Sequence, residues 1–487
     1  MMAGADAGRS ELAAAQQADF TRLARGGALN LVGALVSSAV NILLVIAVTQ
    51  QLSKTRAGVF FAATSVFLIV ATVAKLGANT GLVYFVSRLR ALGRPDLVGA
   101  RLRSALPAVA AAAVLLGALL WVFAGAIGDV VIRGHSGAAA TYIRILAVFL
   151  PTAALADVSL AATRGFRRMQ PTVALDLVAR PALQLGLTVV VLAVHAPLAW
   201  LAVAWAAPYL PEMVAGLLWL QAVRRRDRST ATSTSGAGLG TADFWRFTGP
   251  RAVTSIVHLA LQRLDIVLVA ALRGPAEAAL YTAATRFLVV GQLGSQAIST
   301  VVQPRLAELL AVRDLAGAKA VYQVATGWLV LVTWPLYLLA LVFSTKLLGL
   351  FGRGYAAGSR VIVLLAVAML VATMCGMVDV VLNMSGRTTW TLVNSVLALG
   401  IMVGLDLVLI PRYGIVGAAV GWAASIIANN LVPLGQVVAW LRLHPFGAGT
   451  WRAAVLASGC FGALPLGVRW LAGATPAALA LAVLLGI

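Results

Sequence analysis

Long apolar stretches, separated by short basic loops, recur along the whole of this chain. A bilayer's hydrocarbon core is crossed by about 20 consecutive apolar residues in a helix. Stretches of that kind lie at 27–50, 57–86, 105–126, 138–162, 173–195, 197–223, 244–272, 276–304, 320–343, 359–383, 389–411, 415–441 and 452–471. A last run begins at Thr475 and ends at Ile487, too short to cross at ~1.5 Å per residue. It reads as a partial fourteenth span. Only helices satisfy their own backbone hydrogen bonds within each such segment. The expected fold class is therefore an all-α integral membrane protein with 12–14 transmembrane helices.

Composition excludes the alternatives. Charged residues make up 11% of the chain, whereas soluble domains carry about 25%, so too little polar surface exists to clothe a soluble globule. The net charge of +21 would point to nucleic acid in a soluble protein. Here the basic residues sit in short loops and act as topology signals, and no nucleic-acid partner is expected. Cys375 and Cys460 both lie inside apolar runs, which argues against a disulfide framework or a metal site. No cofactor is expected.

The loops on one side hold Arg22 and Arg25; Arg88, Arg90, Arg94, Arg101 and Arg103; Arg164, Arg167 and Arg168; and Arg224, Arg225, Arg226 and Arg228. The other side holds fewer, among them Lys54, Arg273 and Arg412. Basic residues favour the cytoplasm, so a cytoplasmic N-terminus in the cell membrane is expected. The Ser/Thr/Gly-rich segment 224–243 reads as a linker between two lobes. The expected division is a cytoplasmic tail 1–25, an N-lobe 26–223 with six spans, the cytoplasmic linker 224–243, a C-lobe 244–442 with six more, and 443–487 for span 13 and the partial one. "AVAWAA" at Ala202–Ala207 returns as "AVGWAA" at Ala419–Ala424, and two further pairs recur at nearly the same offset. Six spans per unit insert both copies the same way round, giving two parallel repeats around a central cavity.

The segment Arg251–Leu272 is apolar yet carries Arg251, Ser255, His258, Gln262 and Asp265 at helical spacing, all on one face. An ionised group facing lipid at midplane costs about 2.5–3.5 kcal/mol on insertion scales, so this face must meet protein or water. Asn30, Ser37 and Asn41 in span 1, Thr72, Lys75 and Asn79 in span 2, and Gln292, Gln296, Ser299 and Gln303 in span 8 form comparable stripes. Spans 1, 2, 7 and 8 are related by the repeat, so their stripes can converge on one wet cleft. Substrate contacts are expected from Arg263, Arg286, Arg251 and Lys75, with Asp265, His258, Gln262, Asn41 and Gln292 shaping or gating the cavity. Counting along the hairpin at Gly274 makes an Asp265–Arg286 pair plausible. Such a cleft is electropositive, and guanidinium forks match phosphate geometry. Simpler readings stand beside these: Lys75 and Arg251 can snorkel, Asp265–Arg286 can be purely structural, His258 can be a hydrogen-bonded packing residue, and the Gln/Ser stripes can join helices. Asp176 and Arg180 are i, i+4 and satisfy each other. Asp379 and Asp406 also lie within spans and are candidates for a coupling ion.

Three stretches carry a family resemblance: "LDIVLVAALRGPAEAALYTAATRF" (Leu264–Phe287), "LFGRGYAAGSRVIVLLAV" (Leu350–Val367) and "YGIVGAAVGWAASI" (Tyr413–Ile426). They resemble the multidrug/oligosaccharidyl-lipid/polysaccharide flippase superfamily, most closely its polysaccharide transporter branch. The resemblance implies a two-lobed transporter that flips polyprenyl-diphosphate-linked sugar by alternating access. It also implies membrane lipids, and a polysaccharide polymerase and glycosyltransferases, as partners of a monomer. Spans 1 and 2 lack Asp and Glu, which disfavours a cation-coupled multidrug exporter, while a peptidoglycan lipid-precursor flippase remains open. A membrane glycosyltransferase or polymerase would need a sizeable outer segment with paired carboxylates, and every outer loop is short, so no enzymatic activity is expected.

Overall fold

A computed structural model describes residues 29–132, 135–228, 241–473 and 475–486. The N-terminal tail 1–25, with Arg22 and Arg25, and most of the linker 224–243 lie outside the described residues. Among the described residues there are helices and no strands. The membrane-scale helices are α1 (Leu29–Gln51), α2 (Lys54–Ala91), α3 (Val98–Val122), α4 (Gly137–Val148 and Leu150–Gly165), α5 (Thr172–Ala193) and α6 (Ala199–Asp227). The second half holds α7 (Thr241–Arg273), α8 (Pro275–Ala311), α9 (Leu315–Val342), α10 (Tyr355–Met384), α11 (Thr388–Tyr413), α12 (Ile415–Leu441) and α13 (Ala448–Ala472). Eleven of these are long and apolar enough to span, and α4, bent by 44°, makes a twelfth. At 37 residues α8 is also long enough to cross; Arg286, Gln292, Gln296 and Gln303 make it more polar than the others. The closing helix α14 (Pro476–Gly486) has 11 residues.

The interruptions have local causes. In α4 the bend falls at Phe149, just before Pro151, which lacks the N–H that a continuous helix would use. In α5, π-helical turns run from Thr172 to Ala179, and Pro181 follows two residues later. In α13, wide turns at Gly459–Ala463 precede Pro465 in the same way. A widened turn accommodates the ring that a regular turn would clash with. In α2 the helix breaks where Leu76 and Gly77 adopt φ of 51° and 72°. Position 77 is glycine for two reasons: its φ suits a residue without Cβ, and a Cβ there would sit 2.5 Å from the carbonyl oxygen of Thr248 on α7.

The buried side chains show how the two halves meet. One large core gathers the ends of α1, α2, α4, α6, α7, α8, α10 and α12 nearest the α1–α2, α7–α8 and α9–α10 turns, from Phe60 and Phe67 to Tyr281 and Phe351. At the opposite end it gives way to two separate cores. One, including Leu82, Leu102 and Phe166, belongs to the first half and takes in Phe244 from the start of α7. The other, including Leu306, Tyr322 and Val381, belongs to the second half. The lobes are thus welded at one end and part toward the other. At the welded end Lys54 Nζ donates to the Gly354 carbonyl (3.1 Å) and Gln50 Nε2 to that of Leu350 (2.8 Å). Large apolar side chains line the outer faces, with Trp470 86% and Leu471 80% exposed, as suits helices bathed in acyl chains rather than water.

The weld depends on Gly58, where a Cβ would come within 1.7 Å of the Pro275 carbonyl oxygen. Gly58→Ala is expected to cost about 1–3 kcal/mol through overpacking, lowering Tm in detergent. Gly249→Ala, whose added Cβ meets nothing within 4 Å, is expected not to lower it.

Candidate functional site

Just inside the weld lies a cavity of about 320 Å³, walled by α1, α2, α4, α5 and α6 on one side and by α7 and α8 on the other. Seven ionisable side chains line it as bases or acids: Lys75, Arg180, Arg263 and Arg286, and Asp157, Asp176 and Glu212. Their arrangement is asymmetric. On the N-lobe wall every charge has a partner. Lys75 Nζ lies 2.5 Å from Asp157 Oδ2, across α2 and α4. Arg180 pairs with Asp176 one turn back, and its Nε lies 3.0 Å from Glu212 Oε2 on α6. Its guanidinium also sits 5.0 Å from the centre of the Tyr209 ring. The π turns of α5 carry Asp176 into this network, since a widened turn shifts the helical phase of every residue after it.

The C-lobe wall contributes the surplus. Arg263 from α7 and Arg286 from α8 have no carboxylate within ion-pair distance among the described residues. Arg286 Nε donates only to the Thr282 carbonyl of its own helix, at 3.3 Å. With all groups ionised, four cations face three carboxylates, a net of one positive charge: the N-lobe wall sets two cations against three carboxylates, and the C-lobe wall adds two guanidiniums that bring no carboxylate of their own. Such forks present paired donors to phosphate or carboxylate oxygens.

Several expectations need correction. Asp265 does not pair with Arg286: it is 1% exposed, and its Oδ2 accepts from the Tyr281 hydroxyl (2.6 Å) while Oδ1 accepts from the Ile266 N–H (2.8 Å). Each of its oxygens accepts a hydrogen bond within the α7–α8 hairpin, and Arg286 faces the cavity instead. Lys75 faces the cavity but is held by Asp157. Arg251 lies elsewhere, in a second pocket, with its guanidinium 3.5 Å from the centre of the Phe247 ring. His258 and Gln262 bond to each other at 3.3 Å on an exposed part of α7, and neither they nor Gln292 line the cavity. Asn41 does line it, with its Nδ2 donating to the Ser37 carbonyl at 2.8 Å. The Asp176–Arg180 pair forms as its spacing implied. Asp157 and Glu212 were recognisable only as charges inside spans; nothing local tied Asp157 to a lysine 82 residues away.

Two acids in the C-lobe stand apart from the cavity. Asp406 is fully buried, and neither of its carboxyl oxygens has a hydrogen-bond partner among the described residues. One oxygen of Asp379 is in the same position. Among the described residues no three His, Cys, Asp or Glu side chains gather as a metal site would require.

The sequence profile of the polysaccharide biosynthesis protein family matches residues 23–310, more than half of the chain. The chain belongs to this family. A second profile, MatE, matches residues 250–408, and both place the protein in the multidrug/oligosaccharidyl-lipid/polysaccharide flippase superfamily. No curated protein matches. Among solved structures, this family member resembles the lipid II flippase MurJ in an inward closed conformation, with TM-score 0.70 and 13% identity over 93% of this chain and 95% of that one. It resembles a MATE transporter of Vibrio cholerae, VcmN, with TM-score 0.62 and 16% identity over 86% and 97%. A transporter from Pyrococcus furiosus, described as having a binding pocket of reversed polarity, matches with TM-score 0.57 and 16% identity over 86% and 94%. At these identities the likeness establishes the fold. The protein is a multi-pass membrane transporter of the flippase superfamily.

The network makes a prediction about stability. Arg180→Ala leaves Asp176 and Glu212 facing each other without a cation. It is expected to cost about 3–5 kcal/mol, the usual penalty for orphaning a buried charge, and to lower both yield and Tm in detergent. Glu212→Gln keeps the Asp176–Arg180 pair and is expected to cost clearly less.

Proposed function

We propose that this protein flips a lipid-diphosphate-linked oligosaccharide, a polysaccharide repeat unit, across the cell membrane by alternating access. The observation that carries the reading is the pair of guanidiniums, Arg263 and Arg286, that have no carboxylate within ion-pair distance among the described residues, in a cavity whose other charges all take part in ion pairs. A diphosphate would supply the missing anion, while its lipid tail stays in the bilayer. The family's link to polysaccharide biosynthesis supports the sugar. The positive-inside asymmetry supports a cytoplasmic N-terminus, so that the welded end faces outward and the parted end faces the cytoplasm.

Alternating access then has a physical basis. Counted as ions, the N-lobe wall carries one excess negative charge and the C-lobe wall two positive charges, so the cavity is net positive and a bound anion offsets the surplus. Breaking the weld means separating Lys54 and Gln50 from the Gly354 and Leu350 carbonyls. Neither contact joins two charges, and exposed polar contacts of this kind contribute about 0.5–1.5 kcal/mol each. Parting this end must also separate apolar side chains of the shared core and the close packing of Gly58 on Pro275, so the polar contacts are the smaller part of the cost.

Arg263→Ala and Arg286→Ala, reconstituted in proteoliposomes with a lipid-diphosphate sugar, are each expected to slow flipping by about 10–100-fold, since a charge-assisted hydrogen bond contributes about 1.5–3 kcal/mol. Arg263→Lys should recover only part of the rate, because an ammonium lacks the planar fork. Wild-type rates in both alanine variants would overturn the assignment. The sugar recovered from the outer leaflet should have unchanged mass; a mass change would mark an enzyme instead. Efflux of ethidium without movement of the lipid-linked sugar would favour the drug-exporter reading.

A further inference from the structure

A second pocket lies further along α2 and α4. On α2, Lys75 lines the first chamber and Asn79, one turn on, lines the second. On α4, Asp157 lines the first and Arg164, two turns on, lines the second. The Lys75–Asp157 ion pair thus stands on the side of the first chamber toward the second pocket, beside the Leu76–Gly77 break. The second pocket has a volume of about 680 Å³ and lies at the parted end of the molecule.

Four guanidiniums line this pocket, those of Arg88, Arg164, Arg167 and Arg251, and no carboxylate does. They come from three separate places: α2, the end of α4 with the turn after it, and α7. Three of them donate hydrogen bonds to neutral groups. Arg88 Nη1 donates to the Tyr84 hydroxyl at 3.2 Å, Arg164 Nη1 to the Thr172 hydroxyl at 3.2 Å, and Arg251 Nη1 to the Phe247 carbonyl at 2.9 Å. Tyr84 and Phe247 stack with centroids 4.2 Å apart and give the pocket an aromatic side. Arg167 holds a left-handed φ of 58°, uncommon for a residue with a Cβ. Asp157, paired with Lys75, also attracts Arg164 across two turns of α4, while Asp96 pairs with Arg94 and Asp227 with Arg90.

Topology signals alone need only lie on one side of the membrane; they need not converge. Four like charges brought into one concavity repel one another, and a cleft lined by one sign concentrates counter-ions of the other. We propose that this pocket is a second anion site, specific for phosphate groups, and that it receives the cargo's phosphates before they reach Arg263 and Arg286. The binding claim stands on the pocket itself; the order of occupancy rests on the flippase reading above. The same phosphate chemistry is offered by a diphosphate-linked cargo and by an anionic bilayer lipid, and the test separates these sources.

The test uses the full chain in phosphatidylcholine nanodiscs, with inorganic pyrophosphate titrated calorimetrically. The background carries Arg263→Gln and Arg286→Gln, so that the inter-lobe cavity does not contribute. Saturable binding is expected, weakened about 10–100-fold by adding Arg164→Gln and Arg167→Gln and weakened steeply by salt. Arg164→Lys with Arg167→Lys keeps the charge and is expected to bind at an intermediate level, which guards against a glutamine variant that merely misfolds. Phosphatidylglycerol in the discs that displaces pyrophosphate would name the bilayer as the phosphate source and keep the site; lack of displacement would point to the cargo. Absence of saturable binding to either, or binding indifferent to all four arginines, would overturn the proposal. No step of this measurement requires transport, so failure of the site and failure of the flippase reading give different results.

Discussion

A charge inside a membrane protein must find a partner, water or a ligand, because acyl chains offer none. That constraint organises this molecule. The N-lobe meets it internally, by closing Lys75 on Asp157 and Arg180 on Asp176 and Glu212. The C-lobe leaves Arg263 and Arg286 without carboxylates and turns them into the space between the lobes. The cavity is thus an electrostatic joint with one satisfied wall and one wanting wall.

Packing keeps the joint movable. A single core welds the lobes at one end, and two independent cores hold them at the other. Independent cores let each lobe move as a body, because the boundary between them has little interdigitated side chain to tear apart. The start of α7 is the exception: Phe244 packs into the N-lobe core, and Thr248 lies against Gly77 and Gly81. It ties the C-lobe's first helix to the second part of α2, next to the break. Rearrangement of the lobes would have to pass through this contact, and the two left-handed residues there give the backbone a place to bend.

The Asp265–Tyr281 contact illustrates how a membrane helix hairpin uses polar groups sparingly. A buried carboxyl receives one hydroxyl and one backbone N–H, both from within the α7–α8 unit. This holds the two helices in register where they face the cavity, and it spares both neighbouring arginines. Asp406, by contrast, is buried with neither oxygen bonded among the described residues, and Gly421 lies so close that a Cβ there would meet it at 2.1 Å. The α11–α12 contact is therefore shaped around this carboxyl.

The sequence by itself determined the spans, their helical nature, the side on which the basic loops gather, and the polar face of α7, because hydrophobic length and helical spacing are local properties. It also determined the Asp176–Arg180 pair, whose members lie one turn apart on a single helix. Only the tertiary structure decided which wall each charge belongs to. Lys75 and Asp157 are far apart in the chain, as are Arg180 and Glu212, and depth counting along one hairpin could not foresee that Tyr281 would reach Asp265 before Arg286 did. Arg251 shares its helical face with residues nearer the cavity, yet the crossing of α7 over α2 carries it into another pocket. Periodicity fixes the face of a helix; which helix that face meets is set by breaks, bends and widened turns, whose angles arise from packing between distant segments.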